Sequence, residues 1–579
     1  ADLTRPSSVQ PVIQHPCPSS WSCSASVLIL LAPVFPPAID MRYASLLLFL
    51  LADFLDRSAG APEAHRVKRL PGLRGKLASD LYSGYLITGD HHVHYMLAQS
   101  EGDPSTDPLA LWLNGGPGSS SLIGFFQELG PVVVASNSSL IRNPYAWNQV
   151  ANVLFFETPT GVGYSSCAES RAGGKCSHND TSTARLNLDS LQRFLELFPE
   201  YIGRDFMIWG ESYAGVYIPM LADLVYESAL PVNFLGFSVG DPCTAERFQH
   251  LDGQLHFNLQ YALRRGFISS KIHTMITSSC VKRKGDTGHL VPNYSNPGCV
   301  AAWRLYFIST SGDDGYAPEE TSLPHGGFID PYTCYGPNGH DFNQMLKEYL
   351  TREAVHCALH TDGQPWGRQV QYVKQFMACF YEEETDPTAK PQFNSSMLPI
   401  YRKLAGKLRT IVVFNGDTDP DVQFQGTEDA VAALGLPLVE GGEWRPWFYQ
   451  QQPAALELLA TQPPFWGSQL SHVPLPGAQL AGYTTDYSGN ISYVTVHNSG
   501  HMVPQFQPQS ALHFFHRILL GLPLSPPLDM ARVESAPDEA FFGDGYMKEW
   551  VELAQSASFS QHPAAPVQLL LPQRRVETA

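Results

Sequence analysis

The amino-acid sequence predicts an α/β fold in which a central, mostly parallel sheet carries helices on both faces. Two helical patterns, at residues 183–199 and 214–227, alternate with apolar runs that have the length of buried strands. In such sheets ligands bind beyond the carboxyl ends of the strands, so polar residues at those ends are candidates for a functional site. The apolar runs are LALWLNGG (109–116), ANVLFFETP (151–159), DFMIWGES (205–212), FLGFSVGDP (234–242), TIVVFNGD (410–417) and ISYVTVHNSGH (491–501).

The middle of the chain interrupts this alternation. We predict the sheet core in two parts, 61–240 and 401–525, with an inserted cap domain over 241–400. The insertion has long Gly/Pro-rich connections, a helical pattern at 254–276, and six of the eight cysteines that follow residue 60. Residues 526–579 form a Pro/Ala/Ser/Gln-rich tail that we expect to be disordered or trimmed.

The N-terminal region carries a secretion signal. Residues 41–60, which begin at Met41, combine a basic residue, a short apolar core and small residues, the pattern of a cleaved signal peptide. We expect Met41 to be the true start and residues 1–40 to lie outside the mature protein. A second membrane-anchoring segment in 1–40 is the alternative.

Cysteines and glycosylation motifs agree with secretion. The eight cysteines after the signal indicate disulfides, although the sequence does not choose the pairing. We therefore predict the secretory pathway, with the lysosome or the extracellular space as the destination. The glycosylation candidates are Asn137, Asn179, Asn293, Asn394 and Asn490.

Charge and composition exclude other classes of protein. A hydrophobic fraction of 44% and a charged fraction of 16% are ordinary for a globular chain. The net charge of −18, without a basic run, argues against nucleic acid as a partner. His91, His92 and His94 could indicate a metal, but no cysteine or carboxylate cluster completes a site, and a turn and strand is the preferred interpretation. We expect no metal and no cofactor.

Ser212 has the sequence context of a hydrolase nucleophile. It lies in GESYAG (210–215), between a predicted strand and a predicted helix, as in the strand-turn-helix of α/β hydrolases. A Gly/Ser turn without chemistry is the alternative, because short motifs recur by chance. The presence of Glu211 requires a separate explanation, since a carboxylate beside the nucleophile would repel the oxyanion formed during attack.

An acid and a histidine follow Ser212 in the order that this fold uses. Asp417 and Asp419 follow the run at 410–417, and His501 follows the run at 491–501. Histidine can accept the serine proton and pass it to the leaving group, while a buried aspartate orients and stabilises the imidazolium. The order of the residues alone does not decide whether Asp417 or Asp419 pairs with His501.

Together the motifs resemble the serine carboxypeptidase family over about residues 68–525, and the resemblance implies an α/β-hydrolase fold. They are RLPGL, YSGYL, LWLNGGPG, NPYAWN, ETPTGVGYS, FPEY, GESYAGVYIP, NGDTD and GHMVP. By resemblance Ser212 is the nucleophile, His501 the base and Asp419 the triad acid, while Asp417 shapes the loop. The family's oxyanion hole matches the backbone N–H groups of Gly116 and Tyr213.

The resemblance also gives Glu211 a role. With Asn114, Gly115 and Glu128 it would bind the C-terminal carboxylate of a peptide. Two carboxyls can bind a third only if they keep protons, and mutual repulsion with partial burial raises their pKa values enough for this at acid pH.

Two departures from the family pattern concern cysteines. Ser119 stands where relatives usually carry cysteine, and PWGRQV (365–370) lacks its partner, which is consistent with the loss of one disulfide. Val422 replaces a cysteine in the pocket for the terminal side chain, and with Met502 it keeps that pocket apolar.

The resemblance implies a serine-type carboxypeptidase that releases C-terminal, hydrophobic residues from peptides at acid pH. An acyltransferase on the same triad, or a catalytically silent protective relative, is the alternative. Peptides are the expected substrates. A homodimer and a protective complex with lysosomal glycosidases are open partner assignments.

Overall fold

A computed structural model describes most of the chain between residues 62 and 556. The described ranges are 62–134, 139–249, 259–264, 266–283, 290–292, 295–311, 342–361, 363–373, 396–419, 422–451, 477–535 and 545–556. The predicted signal peptide and the upstream segment 1–40 lie outside these ranges, as do Asn137, Asn293 and Asn394.

A ten-stranded sheet forms the centre of the fold, in the order β1-β2-β6-β3-β9-β10-β15-β18-β17-β16. The six central strands, from β6 to β18, run parallel, and two antiparallel strands close the sheet on each side. Its strands are β1 (Leu81–Thr88), β2 (His91–Ala98), β3 (Leu109–Leu113), β6 (Asn152–Phe156), β9 (Asp205–Glu211), β10 (Asn233–Gly240), β15 (Thr410–Gly416), β16 (Arg445–Gln451), β17 (Gly477–Tyr487) and β18 (Ile491–Val496).

Four two-stranded ribbons lie outside this sheet in the described residues. They pair β4 (Val132–Val134) with β5 (Leu140–Arg142), β7 (Val162–Gly163) with β13 (Gly367–Arg368), β8 (Cys176–Asn179) with β14 (Val370–Val373), and β11 (Val281–Arg283) with β12 (Leu290–Pro292).

The six apolar runs of the sequence are the six parallel strands, which confirms the predicted α/β fold. Parallel strands are covered on both faces, so their side chains are apolar without alternation and the runs stand out. Leu111 and Leu113 of β3 pack with the helices on one face, while Ala110 and Trp112 join the core on the other.

Helices cover both faces of the sheet. On one face, α2 and α3 pack on the strands, and on the other α12 places Phe514 and Phe515 against Trp209. The helices are α1 (Ala168–Arg171), α2 (Asp180–Leu197), α3 (Ala214–Glu227), α4 (Glu246–Gln249), α5 (Ser270–Ser279), α6 (Pro297–Ser311), α7 (Phe342–Leu350), α8 (Glu353–Ala358), α9 (Leu398–Leu404), α10 (Phe424–Ala432), α11 (Val503–Phe506), α12 (Pro508–Leu520), α13 (Met530–Ser535) and α14 (Gly545–Ser556). None of these described helices combines the length and the apolar character needed to cross a membrane.

The region 241–400 contributes no strand to the ten-stranded sheet within the described residues. Part of it has a small apolar core of its own, which includes Ile276 and Trp303. The helical pattern at 254–276 corresponds to helical residues at 259–264 and to α5, with a turn between them. Gly266, with a φ of 75°, lies in a turn, and α5 begins after Ser269, whose hydroxyl accepts a hydrogen bond from the Ile272 N–H at 3.3 Å.

Disulfides are present, as the cysteine count predicts. Cys167 pairs with Cys176, and Cys280 pairs with Cys299. Cys243 and Cys357 are disulfide-bonded as well. The two glycosylation candidates that the structure describes are Asn179, which caps the N-terminus of α2, and the exposed Asn490.

The expectation of a disordered tail is wrong for residues 545–556. These residues form α14, which packs against the edge strand β16. The Trp550 indole is buried, and its N–H lies 2.8 Å from the Pro446 carbonyl oxygen and from the Ser525 hydroxyl. One large aromatic residue thus anchors a segment whose average composition reads as unstructured.

Candidate active site

Ser212 occupies a strained turn between β9 and α3. Its φ of 63° lies in the left-handed region, which non-glycine residues rarely adopt. The Ser212 N–H donates to the Gly240 carbonyl at 2.8 Å, and the Cys243 N–H donates to the Ser212 carbonyl at 3.0 Å. Gly210 has no room for a side chain, because an added Cβ would lie 2.1 Å from the Leu113 carbonyl oxygen. Such a turn is the geometry that presents a nucleophilic serine in α/β hydrolases.

Asp419 and His501 form a buried pair at the same edge of the sheet. They follow β15 and β18, whose carboxyl ends lie beside those of β9 and β10. His501 Nδ1 lies 2.7 Å from Asp419 Oδ2, and both side chains are almost fully buried. The Val422 N–H also donates to Asp419 Oδ2, at 3.2 Å. Asp419 thus orients the ring so that Nε2 can serve as a base.

Asp417, the other candidate acid, binds a different histidine. Its Oδ2 lies 2.6 Å from Nδ1 of His497, and its Oδ1 accepts a hydrogen bond from the Asn498 N–H at 2.8 Å. The His497 side chain is 40% exposed, whereas that of His501 is 7% exposed. The geometry therefore separates a buried Asp–His pair from a surface pair that shapes the loop.

The Gly115–Gly116 loop lies directly against Ser212. An added Cβ at Gly115 would lie 2.4 Å from the Tyr213 nitrogen and 2.8 Å from the Ser212 Cβ. Gly116 has a φ of 108°, which L side chains rarely adopt. Glycine at both positions is what allows this backbone to approach Ser212 and Tyr213.

Asn114 holds two glutamates side by side. Its Nδ2 donates to Glu128 Oε1 at 3.0 Å and to Glu211 Oε1 at 2.8 Å. The amide cannot turn over, because its Oδ1 accepts hydrogen bonds from the Trp112 indole at 2.8 Å and from the Gly124 N–H at 3.2 Å. Sequence positions 114, 128 and 211 thus converge beside Ser212.

The two carboxyls share a buried environment that favours protons. Oε2 of Glu128 and Oε2 of Glu211 are both buried without a hydrogen-bond partner. Burial is the main reason that the pKa of Glu128 rises to about 7, against the lowering effect of Asn114. Burial and the charge of Glu128 raise the pKa of Glu211 well above its ordinary value. A proton between the two carboxyls would satisfy both Oε2 atoms.

Comparison with known proteins identifies the family. The sequence pattern of serine carboxypeptidases matches residues 71–521. The chain belongs to the serine carboxypeptidase family. Serine carboxypeptidase-like 36 of Arabidopsis thaliana is 31% identical over 471 residues, which cover 79% of this chain and 86% of the relative. Mouse lysosomal protective protein is 29% identical over 503 residues, which cover 82% and 97%.

A solved structure shares the fold. Kex1(Δ)p, a prohormone-processing carboxypeptidase of Saccharomyces cerevisiae, superposes with a TM-score of 0.55 at 20% identity, over 80% of this chain and 96% of Kex1(Δ)p. Family and fold agree, and the chain is a serine-type carboxypeptidase.

The pocket residues expected in this carboxypeptidase lie beside the Asp419–His501 pair. Val422 is buried and bonded to Asp419 through its N–H, and Met502 is half-buried directly after His501. Gly118, the neighbour of Ser119, lies close to the PWGRQV segment, because an added Cβ at Gly118 would lie 3.1 Å from Arg368 and 3.2 Å from Val370.

The three histidines of β2 have partners in different places. His91 Nδ1 lies 2.9 Å from the Thr160 hydroxyl. His94 is fully buried, with Nδ1 2.8 Å from Glu157 and Nε2 2.9 Å from the Ser83 hydroxyl. The His92 ring packs against Tyr85, with the ring centroids 6.1 Å apart.

Sequence reasoning missed two buried aspartates of the carboxypeptidase. Asp180 accepts hydrogen bonds from the Tyr213 hydroxyl at 2.9 Å and the Tyr372 hydroxyl at 2.8 Å, so it supports the residue beside the nucleophile. Asp241 follows β10 and lies behind Asp419. Its position at the carboxyl end of a parallel strand was the signal that could have identified it.

Proposed function

We propose that the chain releases hydrophobic C-terminal residues from peptides at acid pH through a Ser212–His501–Asp419 triad. Ser212 attacks the scissile carbonyl while His501 accepts its proton and later delivers it to the leaving amine. Asp419 stabilises the imidazolium, which the 2.7 Å contact with His501 supports. The backbone N–H groups of Gly116 and Tyr213 stabilise the oxyanion.

The pairing of Glu128 and Glu211 on Asn114 carries the proposal. A peptide carboxylate needs donors, and protonated carboxyls are donors that add no positive charge, while the Asn114 amide holds the two glutamates in place. The glycine at 115 lets the loop that carries Asn114 lie against Ser212, so the two carboxyls stand beside the proposed nucleophile. This arrangement makes the substrate's free carboxylate the recognised feature, as an exopeptidase requires.

The first prediction concerns pH. Hydrolysis of a free-acid peptide should be fastest below about pH 6 and should fall as pH rises through about 7, because the Glu128 pKa of about 7 marks the loss of the shared proton. An ester substrate with a blocked C-terminus carries no such charge, so its kcat/KM should persist toward neutral pH. Glu211→Gln should weaken the acid preference for the peptide, since an amide donates without a titrating proton, and should spare much of the ester hydrolysis.

The measurement is a set of pH profiles of kcat/KM for peptide and ester, in the wild type and in Glu211→Gln. Glu428→Gln is the matched control, because Glu428 is a half-buried glutamate with a raised pKa on α10, outside the proposed site. Profiles of one shape for both substrates in all three proteins would reject Glu211 as the carboxylate reader. Ester hydrolysis without peptide hydrolysis would favour an acyltransferase.

The second prediction concerns the terminal side chain. Val422 and Met502 offer an apolar surface, so peptides ending in Phe or Leu should have kcat/KM values at least about tenfold above those ending in Lys or Arg. Peptides that differ only in the last residue test this at one acid pH. The reverse ranking would reveal an acidic group in the pocket and reject the hydrophobic preference.

We propose that the protein acts in the secretory pathway, in the lysosome or outside the cell. The disulfides support this, since disulfides persist in oxidising compartments. The homodimer and the complex with lysosomal glycosidases stay predictions.

A further inference from the structure

Asp241 is a second buried carboxyl at the proposed triad. It directly follows β10, with a φ of 44°, and its side chain is fully buried. Its Oδ1 accepts hydrogen bonds from the Asn415 amide and from the Gly416 N–H, both at 2.9 Å. Its Oδ2 is buried without a partner.

This second oxygen belongs to a tight cluster. Asp241, Asp419 and His501 each place one oxygen or nitrogen within 4.8 Å of the others. Asp419 already receives the His501 Nδ1–H and the Val422 N–H on its Oδ2. Two ionised carboxylates at this distance in a buried site repel strongly, so the pair is stable only if it holds one proton.

We infer that Asp241 is a positioning residue of the catalytic acid, a neutral carboxyl that donates a hydrogen bond to Asp419 and so limits the negative charge that Asp419 presents to His501. The inference rests on the proposed triad and deepens it. Neither sequence pattern nor family resemblance assigned Asp241 a part in the site.

The surroundings decide which aspartate keeps the proton. Asp419 contacts His501 Nδ1 directly, at 2.7 Å, and the imidazolium form stabilises a carboxylate there, whereas the charges of Asp419 and Glu211 disfavour a carboxylate on Asp241. The remaining titratable group that senses Asp241 is the Tyr493 phenol. Burial, then the charge of Asp419, raises the pKa of Asp241 well above its ordinary value.

The proton on Asp241 has a consequence for catalysis in acid. A doubly charged pair would stabilise the His501 imidazolium, which cannot accept the serine proton. An Asp241–Asp419 pair that carries one negative charge, reduced further by the hydrogen bond between them, stabilises the imidazolium less. His501 therefore stays unprotonated, and able to accept the serine proton, at lower pH. Asp241 thus extends triad activity toward acid, separately from the Glu128–Glu211 pair that reads the substrate.

The test compares two variants on the blocked ester, whose turnover does not depend on carboxylate recognition. Asp241→Ala removes the donor, and the midpoint of the acid limb of kcat/KM should rise by about one pH unit, as expected for one hydrogen bond to a charged group. Asp241→Asn keeps a donor where Oδ2 was and an acceptor where Oδ1 was, so its midpoint should match that of the wild type. A uniform loss of kcat in Asp241→Ala without a shift would show a merely structural role and overturn the inference.

An infrared measurement tests the proton without turnover. The difference spectrum between the wild type and Asp241→Asn should contain the C=O band of a protonated carboxylic acid at pH 6, since the two glutamates are common to both proteins and cancel. Absence of that band would overturn the inference even if Asp241→Ala did not fold. A failed triad would instead appear as ester hydrolysis that survives Ser212→Ala, with the infrared band unaffected.

Discussion

Ser212→Ala is expected to lower kcat for both peptide and ester by about four to six orders of magnitude, since loss of a triad nucleophile removes the covalent route. The backbone turn should persist, because the hydrogen bonds that hold it use the Ser212 main chain rather than its hydroxyl. Alanine also removes no buried apolar volume. Steady-state kinetics with a thermal unfolding curve separates lost chemistry from lost folding.

Ser119→Ala is the matched control. Ser119 lies on the neighbouring Gly-rich loop, and its N–H donates to the Gly115 carbonyl at 3.0 Å, a main-chain bond that the substitution keeps. We expect its kcat to stay within about tenfold of the wild type. A tenth of wild-type turnover in Ser212→Ala would reject the nucleophile.

Asp419→Asn is expected to lower kcat by about four orders of magnitude, because an amide facing Nδ1 favours the wrong tautomer of the catalytic histidine. Asp417→Asn makes the same chemical change two residues away, on the exposed pair with His497. It should cost less than about tenfold. The two kcat values, measured with the same ester at the same pH, compare the two Asp–His pairs directly.

Equal losses in both variants would mean that the aspartates act through the shape of their common loop. A large loss in Asp417→Asn alone would move the triad to the surface pair. Either outcome would reject Asp419 as the triad acid.

The parallel strands at the centre of the sheet could be predicted from the sequence, whereas the antiparallel strands at its two edges could not. Strands such as β3 and β15 are buried on both faces, so their uniform apolar character is visible in the sequence. The antiparallel edge strands β1, β16 and β17 mix polar with apolar residues, and their pairing depends on neighbours far along the chain. The average composition of residues 526–579 likewise did not indicate α14, which the buried Trp550 anchors.

The sequence predicts those features of the site that follow from the order and spacing of its residues along the chain. The succession of Ser212, an aspartate and His501 after strands was readable, but the choice between Asp417 and Asp419 came from family resemblance. Only the structure distinguishes the two by burial and by the histidine each contacts. Asp241 could not be assigned to the site from the sequence, because Asp419, which it approaches in the fold, is remote along the chain.

The Glu128–Glu211 pair also makes folding a proton-uptake reaction. Glu128 has an ordinary pKa of 4.5, which the fold raises to about 7, so between these values the folded chain binds more protons than the unfolded chain. Stability therefore falls as pH rises through this window. Glu211, whose pKa is also raised, adds in the same direction. The carboxyls proposed to bind the substrate therefore also make the fold more stable in acid than at neutral pH.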